Sequence, residues 1–441
     1  MITPEYRPTR RRFLRTALAA AAAAAGTGRL RGAPGEVANE TIQRARQAAL
    51  AVLQPSDRDL ERGLRIHAEA VVMESYGFAP RAAIDGAAFQ RAIDRGASAA
   101  ELTDLREEMS MTRMATDTAE RAEFLEAFHA AGVTCIFENA GEEGNDPLRL
   151  LKRLARYTFT TDQLRDVMPK AVSPDDVVAA KQAGRLCLAL TTNGVPLRQQ
   201  WESISDELRY VRLFRQMGVR MMHLTYNRRN PLGDGCGEPQ DGGLSDFGRA
   251  AIAEMNRLGV IVDVAHTGWR TSREAAQAST RPTVASHTAC CGVHLHFRGK
   301  PDDVVRAICD TGGLIGICCI PRFLGGTGDL KAFLDHLDYA IQKFGPDHVA
   351  IGTDIAYVSR HDAMERKKIT GTLPRASAEA RWEHLWPRDD TQLRAGEPAS
   401  LAWTNWPMFT VGLVQRGHSE ETIRKILGEN VLRVWRANEA S

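Results

Sequence analysis

Three side chains with metal-binding or acid–base chemistry stand directly after short apolar runs. His266, His287 and Asp354 each follow a segment rich in Val, Ile and Ala. Such runs are typical of buried strands, and in an α/β barrel the residues that follow the strands line one mouth. Neutral imidazole and carboxylate are common zinc ligands. A single histidine more often makes a structural hydrogen bond, but three such residues at strand ends predict one shared site.

The elements that would position this site alternate between short strands and helices. Helix Pro174–Ala183, for example, has Ser173 as a plausible N-cap and proline at its first position. About eight strands in such alternation predict an α/β fold with a parallel sheet closed into a (β/α)8 TIM-type barrel. An open doubly wound sheet is the alternative, but residues 74–77 lack the glycine-rich phosphate turn it needs. The predicted strands are Val71–Met73, Gly132–Phe137, Leu186–Leu190, Met221–Thr225, Val260–Val264, Pro282–Ala285, Leu314–Ile317 and His348–Ile351.

Length and composition fit one large domain behind an export signal. The chain has 441 residues, 43% of them hydrophobic, which is enough for one barrel core with insertions. Residues 1–32 hold seven Arg and one acidic residue, and beyond them 50 basic residues face 54 acidic ones. This mildly acidic net charge gives no reason to expect nucleic-acid binding. We expect a single domain over 33–441, with a polar insertion at about 360–399 and a closing helix over Ile423–Trp435.

The N-terminus predicts export. Arg10 and Arg11 precede Phe13 and Leu14, and the apolar run Ala17–Ala25 follows. This run is too short to span a membrane, which needs about 20 apolar residues, and it is typical of a signal peptide. The arginine pair resembles a twin-arginine signal. The twin-arginine translocase is therefore an expected partner, and the periplasm or the cell exterior is the expected location.

Several segments resemble, in order, the signature of the membrane (renal) dipeptidase family. They include Leu224–Asn227, Gly243–Gly248, Asp263–His266 and Ala285–His287. The likeness continues through Arg298, Pro301–Asp303, Ile351–Asp354 and Gly428–Arg433, and it covers roughly residues 60–437. The resemblance implies an amidohydrolase-like barrel with two zinc ions that hydrolyses dipeptides. It also implies a homodimer.

The same resemblance implies roles for four residues. His266 and His287 match the two histidines that hold one zinc ion in the family. Arg298 matches the arginine that binds the substrate carboxylate. Asp354 matches the aspartate that meets the substrate amine and the proton of the leaving group.

This chain departs from the family pattern at the remaining metal ligands. Tyr76 and Phe78 stand where the family has a His-x-Asp pair, and Asn193 falls on or near the bridging glutamate. Tyr226 replaces a further active-site histidine, and we expect it to bind substrate or assist catalysis. Since these side chains are poor zinc ligands or none, the sequence predicts at most one zinc ion. The pattern resembles a divergent branch with a depleted metal site.

Other side chains offer alternatives for metal binding. Glu74 or Glu138 could replace a lost carboxylate, although a glutamate at a strand end is usually solvated. Cys236 sits in a glycine-rich segment that is typical of a tight loop, and it is a weaker candidate ligand. His294 and His296 flank Arg298 and are expected to orient it.

Three functions remain open from the sequence. The first is hydrolysis of a dipeptide or related small amide with one metal ion, with Asp354 as base or ligand. The second is a binding or maturation protein that keeps the carboxylate-binding Arg298. The third is a metal-free enzyme that uses Tyr76, Tyr226 and Asp354 for acid–base chemistry. Metal content of the exported protein separates the first from the other two.

Overall fold

A computed structural model describes residues 39–141, 147–370 and 397–439. The predicted signal peptide at 1–32 and most of the predicted insertion at 360–399 lie outside these ranges. Within them, no helix is both long and apolar enough to cross a bilayer.

Eight parallel strands follow one another in sequence order around a nearly closed barrel, as the alternation of strands and helices predicted. Strands β1 and β8 lie side by side, because the backbone N–H of Asp354, just beyond β8, approaches the carbonyl of Tyr76 in β1 at 3.4 Å. The strands are β1 Met73–Gly77, β2 Cys135–Asn139, β3 Cys187–Thr192, β4 Val219–His223, β5 Ile261–Asp263, β6 Thr283–Thr288, β7 Leu314–Ile317 and β8 Val349–Ile351.

Helices cover the outside of the barrel and connect the strands. Before β2 lie α1 Glu40–Leu53, α2 Asp57–Glu69, α3 Gly86–Asp94, α4 Ala99–Thr116 and α5 Thr118–Ala131. Between β2 and β8 lie α6 Pro147–Gln163, α7 Pro174–Gln182, α8 Ile204–Gln216, α9 Asp246–Leu258, α10 Trp269–Ala278, α11 Asp302–Asp310, α12 Pro321–Leu324 and α13 Leu330–Phe344. After β8 come α14 Asp362–Arg366, α15 Trp406–Gln415, α16 Glu420–Arg424 and α17 Asn430–Asn438.

Alternate residues of each strand pack into two separate cores. Ile261 belongs to the cluster inside the barrel, whereas its neighbour Val262 packs in the layer between the strands and the helices. This follows from the period of two along a strand, which sends successive side chains to opposite faces. Trp435 of α17 closes the interior cluster against Phe137, with the ring centroids 5.0 Å apart.

Most strand boundaries differ from the sequence prediction by a few residues, and two differences have a clear structural consequence. Strand β1 runs from Met73 to Gly77, so Tyr76 lies inside the strand rather than after it. The predicted closing helix is divided by a π-type turn over Lys425–Glu429. Its backbone leaves helical geometry at Gly428, which lies so close to the start of β1 that an added Cβ would sit 2.4 Å from the carbonyl oxygen of Val71. The close approach of backbone to strand therefore breaks the helix there.

Candidate active site at the barrel mouth

Three neighbouring strands bring polar side chains together at their C-terminal ends. His223 ends β4, Asp263 ends β5 and His287 lies in β6, and all three are 0% exposed. His223 and Asp263 are paired in register across the sheet. Because the strands are parallel, their carboxyl ends meet at one mouth, where barrel enzymes carry their active sites.

His266 joins this group from the loop after β5. Its Nε2 lies 2.8 Å from Nε2 of His287. Its Nδ1 lies 2.7 Å from Oδ1 of Asn227, which also accepts the thiol of Cys236 at 3.2 Å. An amide oxygen only accepts, so His266 carries its proton on Nδ1 and presents the lone pair of Nε2 to the site.

Both of these imidazoles are neutral at neutral pH. Burial lowers the pKa of His266 and of His287 well below the usual histidine range, and the charge of Arg298 adds to the effect. The neutral form is the one that binds metals or accepts protons.

Arg298 supplies a buried positive charge beside the two histidines. One guanidinium nitrogen donates to the carbonyl of Ala265 and the other to Nε2 of His266 at 3.2 Å. The guanidinium also stacks over Phe323, 5.2 Å from the ring centroid. Within the described ranges no carboxylate forms an ion pair with it. A desolvated guanidinium without a carboxylate favours an anionic ligand.

Asp354 faces the same space from the end of β8. Its backbone has a φ of 58°, a left-handed conformation that non-glycine residues rarely adopt and that is often found at active sites. Burial raises the pKa of its carboxyl to about 6, and the charges of Arg298 and His223 partly offset that effect. The carboxyl therefore exchanges protons near neutral pH.

Aromatic rings lie close to the two histidines of the site. Tyr76 stacks on His287 at 3.8 Å between ring centroids and donates its hydroxyl to Oδ1 of Asn193 at 2.7 Å. Phe78 meets Tyr76 edge to face at 5.8 Å. The half-buried Tyr226 stacks on His266 at 4.2 Å. The structure thus brings the sequence-predicted residues together at one mouth.

The donor set does not fit two metal ions. Neither Phe78 nor the amide of Asn193 supplies an anionic ligand, and burial keeps the Tyr76 hydroxyl protonated by raising its pKa well above the usual value. One cation does fit, since His223, Asp263 and His287 each offer a ligand atom within 4.8 Å of the others. Both ring nitrogens of His223 and Oδ2 of Asp263 are buried without a hydrogen-bond partner of acceptable geometry.

The other candidate ligands are engaged elsewhere. Glu74 accepts hydrogen bonds from Thr353 and Trp403, and Glu138 accepts from Tyr157 and the backbone of Ala79. Burial raises the pKa of Glu74 to about 8 and that of Glu138 to about 7, so both are largely protonated or readily become so.

The flanking residues act on the site indirectly. Nδ1 of His296 accepts from the backbone N–H of Arg298 at 3.1 Å. Cys236 is buried and donates its thiol to Asn227.

Sequence reasoning missed His223, Asp263 and Asn227 as site residues. His223 was included in a predicted strand and Asp263 was quoted only as part of a motif. A histidine and an aspartate that interrupt two otherwise apolar strands were the available signal, because the interior of a barrel admits polar groups chiefly at its mouth.

Comparison with known proteins agrees with this architecture. Residues 65–379 match the sequence profile of the membrane dipeptidase family, peptidase family M19. The match covers well over half of the chain, and the protein belongs to this family. The family resemblance seen in the sequence is confirmed, and membership supports a metal-dependent, dipeptidase-like hydrolase function.

Solved structures share the fold. An amidohydrolase from Pseudomonas aeruginosa has a TM-score of 0.64 at 24% identity, over 86% of this chain and 99% of that one. A probable dipeptidase from the same bacterium has a TM-score of 0.59 at 18% identity, over 87% and 98%. A metallopeptidase from Rhodobacter sphaeroides, liganded with a phosphinate mimic of the dipeptide L-Ala-D-Ala, has a TM-score of 0.58 at 16% identity, over 84% and 100%.

Proposed function

We propose that this protein hydrolyses the amide bond of a dipeptide or a related small amide with the help of one bound divalent cation, zinc in the first instance. The observation that carries the proposal is the convergence of neutral His266 and His287 with the Arg298 guanidinium and the Asp354 carboxyl at one barrel mouth. A bound cation would lower the pKa of water and polarise the amide carbonyl. The reduced metal site is part of the proposal.

Arg298 would bind the substrate carboxylate. Its guanidinium is buried, and its present acceptors are a carbonyl and an imidazole, both neutral. A carboxylate would replace the weak 3.2 Å contact with His266 by a charge-assisted bidentate pair. This would fix the dipeptide by its C-terminal end and leave Nε2 of His266 in contact with His287 alone.

Asp354 would serve the other end of the substrate. With its pKa raised to about 6, the carboxyl is mostly ionised at neutral pH and accepts a proton more readily than an ordinary aspartate. It can pair with the free amino group and carry a proton to the leaving amine. The face of Tyr226 on His266 would limit how far the substrate enters.

The test is hydrolysis of a panel of L-L and L-D dipeptides by purified protein, first stripped of metal and then loaded with zinc. We expect amino-acid release that depends on the metal. Arg298→Met should raise KM far more than it lowers kcat, because it removes carboxylate binding. Arg306→Met, on the exposed face of α11, is the matched control and should match the unchanged protein.

The proposal fails if metal-loaded protein releases no amino acid from any dipeptide. It also fails if the Arg298→Met and Arg306→Met proteins have the same KM. Binding of dipeptides without turnover would point instead to a binding protein on the same barrel.

A further inference from the structure

A buried ion pair beneath the two site histidines lacks the additional hydrogen-bond partners that such a pair normally has among the described residues. Nε2 of His223 and Oδ2 of Asp263 form an ion pair at 2.6 Å with poor hydrogen-bond geometry, and neither atom has another partner among the described residues. Nδ1 of His223 has no partner either among the described residues. Leaving buried polar atoms unpaired costs about 1–3 kcal/mol each, so a native protein normally satisfies them with a ligand, water or ion.

We propose that His223, Asp263 and His287 bind a single divalent transition-metal ion such as zinc. Each residue offers one ligand atom within 4.8 Å of the other two, and all three are 0% exposed. Two imidazoles with one carboxylate are a normal set of three protein ligands for a catalytic metal, with a further position left for water or substrate. The inference deepens the proposed function by relocating its metal ion from the His266–His287 pair.

The carboxylate of Asp263 is already oriented as a one-oxygen ligand. Its Oδ1 accepts the backbone N–H groups of Ala265 at 2.9 Å and Ser286 at 3.1 Å. These two bonds fix the carboxylate plane and leave Oδ2 directed at His223. Outer hydrogen bonds of this kind are what hold metal ligands in place.

His266 is less suited to be a ligand than the sequence suggested. Its Nδ1 is bound to Asn227, and its Nε2 already accepts from Arg298 at 3.2 Å. A cation on that nitrogen would lie beside the guanidinium charge, and the repulsion would be weakly screened in a buried site. Nε2 of His223 faces the carboxylate of Asp263, and its Nδ1 has no hydrogen-bond partner among the described residues.

Metal binding would open the pair slightly. Two ligand atoms that each lie about 2.0–2.2 Å from a tetrahedral ion are separated by roughly 3.4 Å. The present 2.6 Å between His223 and Asp263 is shorter than that, whereas the longest separation in the group is greater. Zinc would therefore draw His287 inward and push the pair apart.

The experiment measures metal stoichiometry and affinity without any substrate. Metal-free protein is titrated with Zn²⁺ against a chromophoric chelator. We expect one equivalent to bind the unchanged protein. His223→Gln and Asp263→Asn should each weaken binding by more than roughly 100-fold, beyond the loss expected from an outer hydrogen bond alone. His266→Gln should retain one equivalent with less than a roughly tenfold change, and the exposed His129→Gln is the matched control.

A second measurement needs only the unchanged protein, in case a variant does not fold. Anomalous diffraction from zinc-loaded crystals should place the ion within bonding distance of His223, Asp263 and His287. The proposal is overturned if the ion lies between His266 and His287 away from Asp263, if His223→Gln binds zinc normally, or if no metal binds. Zinc bound at the proposed ligands without dipeptide turnover would support this site and contradict the proposed function.

Discussion

At the scale of single residues, the site depends on hydrogen bonds that decide where protons sit. Asn227 holds the proton of His266 on Nδ1, and the thiol of Cys236 keeps the Asn227 oxygen turned toward the ring. All three side chains are buried, so the arrangement is not averaged by water. The basic lone pair of His266 in the site is therefore set by a residue that would itself never touch the substrate.

Replacing Asn227 should weaken catalysis through His266. Asn227→Ala removes the acceptor, and we expect kcat/KM to fall by about 10–100-fold, as for other lost outer-shell partners. Asn227→Asp keeps an acceptor and should retain more activity than the alanine variant. Asn256→Ala, a buried asparagine at the end of α9, is the control and should leave kcat/KM unchanged in the folded protein. Equal activity of the Asn227→Ala and Asn256→Ala proteins would refute the positioning role.

Asp354 should make kcat/KM fall at acidic pH, which appears as an acidic limb of the pH profile. Because burial raises the pKa of this carboxyl to about 6, the ionised form is present above that pH and is lost as the pH falls through it. We expect kcat/KM to drop tenfold per pH unit below about 6. Asp354→Asn should be slow at every pH and lack this limb. Asp347→Asn, at the opposite end of β8, should keep the normal profile. A limb that persists in Asp354→Asn would assign it to another group.

At the scale of elements, the loop between β4 and α9 connects the ends of two strands. The backbone N–H of Cys236 donates to the carbonyl of His266, and that of Gly237 donates to the carbonyl of Asn227, both at 2.8 Å. Gly235 lets the loop lie directly on the preceding backbone, since an added Cβ would be 2.3 Å from the Asn227 carbonyl carbon. The glycine-rich segment, residues 233–237, therefore clamps the backbone of Asn227 to that of His266.

Adding one methyl group at Gly235 should disturb this clamp. We expect Gly235→Ala to lose about 1–3 kcal/mol of stability through overpacking and to lose activity as Asn227 shifts. Gly184→Ala has open space around it and carries only the cost of its left-handed backbone. It should lower the melting temperature but leave kcat/KM intact. If Gly235→Ala is as active as Gly184→Ala, the clamp does not position the site.

At the scale of the whole molecule, the barrel brings distant segments of the chain together at one site. Residues from β1, β4, β5, β6 and β8 meet there although more than 270 positions separate Tyr76 from Asp354. The expected export of the folded barrel depends on residues outside the described ranges.

The N-terminal arginine pair should direct export of the folded chain. Changing Arg10 and Arg11 together to lysine preserves the charge but removes the twin-arginine pattern. We expect the precursor to remain inside the cell, as measured by fractionation and immunoblotting. Changing Arg29 and Arg31 to lysine is the control and should leave export intact. Processed protein in the periplasm of a strain without twin-arginine transport would exclude this route.

The barrel fold could be predicted from the sequence because strand and helix periodicities are local properties. The strand Leu314–Ile317 was predicted to the residue, whereas β1 was placed early because an apolar run does not reveal where interstrand hydrogen bonds begin. The helix predicted over Pro174–Ala183 is observed over Pro174–Gln182 with the predicted Ser173 cap, since capping is set by neighbouring residues. The break at Gly428 depends on contact with a strand more than 350 positions away, and no local signal contains it.

For the site, the sequence by itself predicted which polar residues lie near the ends of strands and, through the family resemblance, which metal ligands are replaced. It thereby brought His266, His287, Arg298 and Asp354 forward as candidates. Only the tertiary structure decided that His223 and Asp263 lie beside them as a buried ion pair within reach of one metal ion. The direction of a strand residue, into the barrel or out of it, changes with a register shift of one position. That register is set by the neighbouring strands of the closed sheet. The sequence pattern of a single strand therefore could not place His223 and Asp263 at the site.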